Sequence, residues 1–182
     1  MTVPNVTFSQ AAFEAYASAP ADIVSIETLE IRHPSFVDDN GNPAAARFVR
    51  AHKELNAYLE ADAPLNGGEE VLFSPTAFNL ELPGVDGKPA DEITVTIDNV
   101  NRELMEVLEA AATSQDKAEI TYRSYLSDDL LGPEQVPPPT YTLSSANATL
   151  LMLTGTARIS DLGRRPFPNG TYNPEDFPML VR

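Results

Sequence analysis

Alternation of apolar and polar residues dominates this chain. It is clearest in residues 76–84, 92–100 and 117–127, and it returns in residues 141–144 and 148–159. A period of two is typical of strands that bury one face. The side chains expected to face a core are Phe78, Leu80, Leu82, Ile93, Val95, Ile97, Ile120, Tyr122 and Tyr125.

The segment at 22–33 alternates in two phases. Val24 and Ile26 belong to one phase, and Leu29 and Ile31 belong to the other. This pattern predicts a long strand with an irregularity in its middle.

The next part of the chain gives weaker signals. Residues 34–46 are predicted to form a loop, with an Asn-Gly turn signal at Asn40. The apolar positions of residues 47–62 fit a helical face in part, and they also suit two strands around a polar turn. We favour a strand over residues 47–51. Residues 66–75 are predicted to form a turn followed by a strand.

Two helices are predicted. The first spans residues 8–19, with Ser9 as its N-cap and with Phe13 and Tyr16 on one face. The second spans residues 99–115, where asparagine precedes a glutamate in the first turn and a run of leucine and valine shares one face.

Seven to nine short strands and two helices favour a mainly β fold. We expect a predominantly antiparallel β-sandwich or barrel with one or two short helices, because the regular strand–helix alternation of a doubly wound sheet is missing. Residues 1–161 are expected to form this domain, and residues 162–182 are expected to form an extended C-terminal arm.

The amino-acid composition excludes or argues against several classes of function. The chain has no cysteine, which excludes thiolate catalysis and cysteine-ligated metals. Its net charge of −15 argues against binding duplex DNA or an anionic membrane. The acidity suits solubility, and it also suits a passage through which DNA slides without sticking. The N-terminus lacks the pattern of a signal peptide, so a soluble product made in the cytoplasm is expected.

The motifs give no sign of catalysis. His33 and His52 do not form a spaced pair with other ligand types and are expected to be structural. Residues 38–42 resemble the opening of a calcium loop, but Pro43 stands at its glycine position and Val49 at its last ligand position. We therefore predict an ordinary turn there, no metal, no cofactor and no enzymatic activity.

The last 21 residues are rich in proline and aromatics, whereas disordered tails are usually polar. Two interpretations stay open: a strap that packs on its own domain, and an arm that docks on a neighbouring subunit. The predicted partner-binding residues are Arg164, Arg165, Phe167, Tyr172 and Phe177.

Three stretches carry a resemblance to a known family. They are SIETLEIRHPSF at 25–36, ITVTIDNVNRELMEVLEAA at 93–111, and RRPFPNGTYNPEDFPML at 164–180. The chain resembles a family of minor tail proteins of siphophages and prophages, catalogued as a domain of unknown function and similar to distal tail proteins.

The resemblance implies a structural role in the virion. A distal tail protein has a β-sandwich or barrel fold with a flanking helix, forms a ring that is typically hexameric, and joins the tail tube to the baseplate hub. The partners would be further copies of itself, the tail tube protein and the hub protein, and DNA would pass without specific binding. Its place would be the virion tail tip, after synthesis in the host cytoplasm. In this interpretation, sheets of neighbouring subunits also pair at their edges around the channel. The alternatives are a monomeric β-sandwich binding module, for example for surface carbohydrate, and a tail-assembly factor.

Overall fold

A computed structural model describes residues 7–18, 22–38, 40–81, 92–98, 116–149 and 152–159. Within these residues the protein is mainly β, as predicted, with a single short helix. The elements are β1 (Thr7–Phe8), α1 (Gln10–Ser18), β2 (Ser25–Val37), β3 (Pro43–Val49), β4 (Leu55–Tyr58), β5 (Glu70–Pro75), β6 (Phe78–Glu81), β7 (Glu92–Asp98), β8 (Glu119–Leu126), β9 (Gln135–Val136), β10 (Thr140–Ala148) and β11 (Met152–Ile159).

Nine strands form one sheet in the order β4-β5-β3-β2-β8-β10-β11-β7-β6, and β1 pairs with β9 separately. The neighbours are antiparallel except for the parallel pair of β3 and β5. The predominantly antiparallel arrangement agrees with the sequence prediction.

The segment from β5 to β6 closes the sheet on itself. β5 pairs with β3, and β6 pairs with β7 at the far end of the sheet. Between the two, the amide of Thr76 donates to the carbonyl of Val49, and the amide of Asp98 donates to the carbonyl of Ala77. The ring of strands therefore returns to its starting point, and β4 lies outside it on β5.

The barrel interior holds the main core. Residues from β2, β3, β6, β7, β8, β10 and β11 form one buried cluster, which explains the clean alternation of β7, where Ile93, Val95 and Ile97 are buried as predicted. The main members of this cluster are Leu29, Ile31, Phe48, Phe78, Ile93, Val95, Ile97, Ile120, Tyr141 and Leu153.

A second core lies on the outer face of β2, β3 and β8. It is covered by β4, β5 and the loop that joins them, and its members are Val49, Ala57, Leu59, Val71, Phe73 and Tyr125. The central strands β2 and β8 are therefore buried on both faces.

Burial on both faces explains the two phases of residues 22–33. Leu29 and Ile31 face the barrel interior, whereas Ile26 packs against the outer core. The change of phase is not a break in the pairing, because β2 pairs with β8 without a shift from Ser25 to Arg32. The long strand does contain an irregularity, but it lies further along than predicted, where the pairing with β3 shifts register between Arg32 and Val37.

Several boundaries differ from the sequence prediction. Most of the predicted loop at 34–46 is strand, because β2 extends to Val37 and β3 begins at Pro43. Residues 47–62 contain the end of β3 and all of β4, so the two-strand alternative is confirmed. β10 extends through residues 145–147, which had been predicted to separate two strands, because these residues pair with β11.

The capping prediction for the first helix is confirmed, since the hydroxyl oxygen of Ser9 accepts a hydrogen bond from the amide of Ala12 at 3.1 Å. The expected burial pattern is different. Ala12 is the buried residue of α1, and Phe13 and Tyr16 are exposed. The predicted helix at 99–115 and the residues 82–84 lie outside the described residues. In the part of the chain that is described, no helix has the length and apolar character needed to cross a membrane.

Candidate functional site

A buried network of charged side chains connects the barrel to its outer layer. The Arg123 guanidinium on β8 binds both carboxylate oxygens of Glu60, with Nε–Oε2 and Nη2–Oε1 distances of 2.8 and 2.7 Å. Glu30 on β2 lies beside it and accepts a hydrogen bond from Nε of Arg47 at 2.8 Å. Arg32 lies 3.3 Å from Glu30 and 2.9 Å from Glu119. Glu30 and Glu60, the two buried carboxylates of this network, therefore each face at least one guanidinium.

The loop between β4 and β5 brings Glu60 into this network. Its ends are joined by a hydrogen bond from the amide of Leu59 to the carbonyl of Glu69, and the amide of Gly68 donates to the carbonyl of Glu60. Asn66 has a left-handed backbone with φ of 57° and accepts a hydrogen bond from Arg47 at 2.9 Å. The loop is thus fixed to the barrel by polar contacts at both of these positions.

The chemistry of the network is structural. Burial lowers the pKa of Arg123, but the hydrogen bonds that its guanidinium donates to Glu60 and the charge of Glu30 outweigh this effect, so the pKa of Arg123 is raised. An arginine that holds its proton this firmly between two carboxylates cannot serve as an acid or a base. Its effect is to fix the outer layer in one position on β2 and β8.

Gly67 provides a test of how tightly this loop is packed. A Cβ atom at this position would lie 2.5 Å from the carbonyl oxygen of Ala61 and 3.0 Å from that of Ala63. We expect Gly67→Ala to lower the free energy of unfolding by about 1–3 kcal/mol in urea denaturation, because the clash is with backbone. Gly132→Ala is the matched control, since nothing lies within 4 Å of its Cβ position. Equal stability of the two variants would show that the loop backbone shifts to accommodate the added methyl group at little cost in stability.

A third buried carboxylate, outside this network, fixes helix α1 to one end of the barrel. Glu134, which precedes β9, accepts hydrogen bonds at 3.0 Å from the hydroxyls of Tyr16, Ser25 and Ser124. Its carbonyl also accepts the amide of Ser9 at 2.8 Å. The helix is therefore joined to β2 and β8 through one acidic side chain.

Large apolar side chains remain exposed around this helix. Phe13, Tyr16 and Phe8 are 64%, 66% and 41% exposed. The rings of Phe8 and Phe13 contact each other edge to face, with centroids 5.8 Å apart, and β1 pairs with β9 beside them. We call these three residues the α1 patch. Exposed apolar side chains that are clustered in this way mark interaction sites on soluble proteins.

The side chains of the α1 patch are preorganised in the unbound protein. The hydroxyl of Tyr16 is fixed on Glu134, and burial together with that hydrogen bond raises the pKa of Tyr16. Aromatic side chains with fixed rotamers lose little entropy on binding. The patch is therefore the candidate functional site within the described residues.

Buried phenols predict how stability depends on alkaline pH. Burial is the main cause that raises the pKa of Tyr125, whose hydroxyl donates to the carbonyl of Tyr58 at 3.1 Å. The unfolded phenol ionises near pH 10, whereas the folded one keeps its proton to higher pH. Its stabilisation is therefore complete below pH 10 and is lost as the pH rises towards the folded pKa, by up to about 1.4 kcal/mol per pH unit.

Urea denaturation between pH 8 and pH 12 measures this effect. We expect Tyr125→Phe to be less stable than the wild type at pH 8, because it loses a buried hydrogen bond. We also expect its stability to fall less steeply above pH 10. Parallel curves for the two proteins would contradict a raised pKa for Tyr125.

His33 and the calcium-like loop have local structural roles. His33 is buried and forms hydrogen bonds with Ser35 and with the carbonyl of Asp116, and His52 is exposed. Asp38 closes the turn at 38–42 by accepting the amides of Asn40 and Asn42, and the hydrogen bond from the Asn42 amide lowers its pKa. The ordinary polar turn predicted there is confirmed.

The predicted binding residues are not placed by the structure. Arg164, Arg165, Phe167, Tyr172 and Phe177 all lie outside the described residues. In the described ranges, no group of three or more histidine, aspartate or glutamate side chains is arranged to hold a metal ion.

Sequence reasoning missed the buried acids and the α1 patch. A signal for Glu30 was present, because it stands between Leu29 and Ile31 in a strand whose two phases are both apolar. Glu134 gave no such signal, since it lies in a proline-rich connector whose surroundings are set by distant residues.

The fold and the site together define a closed β-barrel protein with a fixed outer layer and an exposed aromatic patch. The chain belongs to the family described as "Domain of unknown function (DUF1833)", whose model matches residues 11–172. The match includes α1 except for its first residue and all the strands from β2 to β11, and it extends to residue 172, within the segment that is predicted to form a C-terminal arm. Comparison with curated proteins gave no match.

Proposed function

We propose that this protein is a structural component of a phage tail tip: a distal tail protein that forms a ring, joins the tail tube to the baseplate hub and lines the DNA channel. The α1 patch is the observation that carries the proposal, because it is an exposed aromatic surface on an otherwise well packed barrel. The resemblance of three stretches to siphophage and prophage minor tail proteins supports the same role.

The distribution of charge supports a channel for DNA. The net charge is −15, and the arginines Arg32, Arg47, Arg50 and Arg123 are paired with carboxylates. A surface with unpaired acids repels the phosphate backbone, so DNA passes through a ring of such subunits without sticking.

The fold favours an arm over edge pairing as the link between subunits. Closure of the barrel leaves β4 and β6 as the terminal strands of the described sheet, and each has four residues. The outer edge of β4 is partly used, since the amide of Tyr58 donates to the carbonyl of Leu130. We therefore assign the contact between subunits to the C-terminal arm, with Phe167, Tyr172 and Phe177 as anchors and with Arg164 and Arg165 as charged contacts.

Binding to tail proteins tests this function. The purified protein is mixed with the tail tube and hub proteins of the same phage or prophage, and complexes are measured by size exclusion. We expect the wild type to bind both, and we expect Phe13→Ser to bind more weakly. Leu72→Ser is the control, because Leu72 is also exposed but lies on β5, outside the α1 patch. If the wild type bound neither the tail tube protein nor the hub protein, the proposal would be contradicted.

A second candidate function is favoured by the same exposed aromatics. A monomeric barrel that displays Phe8, Phe13 and Tyr16 on one surface has a platform for stacking sugar rings. Titration with surface carbohydrates would separate the two functions, because sugar binding that Phe13→Ser abolishes, in a protein that binds no tail component, supports the binding module. Mass spectrometry of purified particles separates both from an assembly factor, which is absent from the finished particle.

A further inference from the structure

We propose that the α1 patch is the receptor for the C-terminal arm of a second copy of this chain. The inference rests on the proposed function and adds the surface on which the arm docks. It assigns a role to two features that are otherwise unexplained: exposed aromatics on α1, and an aromatic, arginine-bearing segment at 162–182.

The first argument is charge complementarity. This end of the barrel is built from residues 7–18, 22–28 and 124–139, which hydrogen bonds of Glu134 and Val24 tie together. These segments contain six acidic residues and no lysine or arginine. Because Glu134 is buried and Glu27 is paired with Arg50, the negative charge at the surface comes from the other four: Glu14, Asp22, Asp128 and Asp129. Residues 162–182 contain three arginines and two acids, Glu175 and Asp176, so their side chains carry a net charge of +1. The positive charge is concentrated in the pair Arg164 and Arg165, which is opposite in sign to the surface around the patch.

The second argument is the match of apolar groups. The patch offers two phenylalanines and a tyrosine ring, already fixed by the contact of Phe8 with Phe13 and by the hydrogen bond of Tyr16 to Glu134. The arm carries Phe167, Tyr172 and Phe177 between prolines, which restrict its backbone and reduce the entropy lost on docking. Aromatic and arginine side chains are the groups that contribute most to binding at interfaces.

The third argument is that the C-terminal segment is long enough to reach a neighbouring subunit. The last described strand, β11, ends at Ile159, which pairs with Tyr141 on β10. The chain beyond it, residues 160–182, spans roughly 75 Å when extended, at about 3.3 Å per residue. That length reaches a neighbouring subunit in a head-to-tail arrangement, and repeated head-to-tail contacts close into a ring when the rotation allows it.

Site-specific cross-linking in the full chain tests this inference. Phe13 is replaced by the photoreactive p-benzoylphenylalanine, the oligomeric state is measured by light scattering, and the sample is irradiated. We expect a product of twice the chain mass in which position 13 is joined to a peptide from residues 162–182. The same replacement at the exposed Leu72 on β5 is the control, and it should not capture the arm.

Charge reversal in the arm provides the second measurement. With p-benzoylphenylalanine at position 13, Arg164→Glu together with Arg165→Glu should lower the yield of the cross-linked dimer about tenfold, because the arm then repels the acidic surface. The far-ultraviolet spectrum of this variant should match that of the wild type, since neither substitution falls in a described strand.

The outcomes separate this inference from the proposed function. Capture of the arm at the mass of a single chain would overturn it, because the arm would then bind its own barrel. Rings that form without capture of the arm, or with capture of another segment, would overturn the inference and leave the ring function standing. A monomer that captures nothing and binds neither tube nor hub protein would overturn both.

Discussion

Replacing Arg123 by methionine is expected to lower the free energy of unfolding by about 3–5 kcal/mol. The substitution leaves the carboxylate of Glu60 buried without its bidentate partner, and it removes one of the positive charges beside Glu30. An uncompensated buried charge is far more destabilising than the loss of one exposed contact. Urea denaturation monitored by tyrosine fluorescence measures the effect.

The matched control is Arg50→Met. Arg50 also binds a glutamate at 2.8 Å, but its side chain is 55% exposed and that of Glu27 is 38% exposed. Water replaces the lost contact there, so we expect a loss of less than about 1 kcal/mol. Equal losses for Arg123→Met and Arg50→Met would contradict the idea that burial gives the network its importance.

The double variant Arg123→Met with Glu60→Met refines the test. It removes the unpaired carboxylate, while Glu30 keeps Arg47 and Arg32 as partners. Because a buried ion pair can be replaced by apolar residues at little loss, we expect the double variant to be more stable than Arg123→Met alone. A double variant that is less stable than the single one would show that the network acts by a different mechanism.

Deletion of residues 162–182 is expected to have the largest effect on assembly. The deletion leaves all the described strands intact, so the barrel should keep its fold while the ring is lost. Light scattering should then report a single chain under conditions in which the full chain forms a ring, and circular dichroism should report the same strand content.

A substitution variant distinguishes the effect of the aromatic anchors from the effect of shortening the chain. A chain in which Phe167, Tyr172 and Phe177 are replaced by serine keeps every residue of the arm and removes the proposed anchors. It should lose assembly to a similar extent. If the truncated chain instead unfolds, the arm is a strap packed on its own domain, and the assignment of the contact between subunits is wrong.

The strands that bury one face could be predicted closely from the sequence. In β7, Ile93, Val95 and Ile97 are buried as the alternation requires, and the mainly β class followed from several strands of this kind. The period of two is a direct consequence of a single buried face.

Strands buried on both faces gave a less certain signal. In β2, Ile26 contacts the outer core while Leu29 contacts the inner one, and the sequence shows only a change of phase. The existence of an outer layer depends on the loop that carries Glu60, which meets Arg123 across 63 positions of the chain. A local pattern of apolar and polar residues cannot predict a contact between residues so far apart in the sequence.

The candidate site was even less predictable. Helix α1 was expected to bury an aromatic face, but a short helix with Ala12 as its buried residue can dock closely on the barrel and leave Phe13 and Tyr16 outside. The predicted binding residues of the arm lie outside the described residues, so their role stays a prediction.

The central claim is that this protein forms a ring, and mass by light scattering at low and moderate salt, with negative-stain imaging of the same sample, tests it most directly. The account predicts oligomers of defined mass that appear as rings with a central hole. It also predicts weaker assembly at moderate salt, because salt screens the contact of the arginine-bearing arm with the acidic surface. A strict monomer at both salt concentrations that also fails to assemble on the tail tube protein would contradict it.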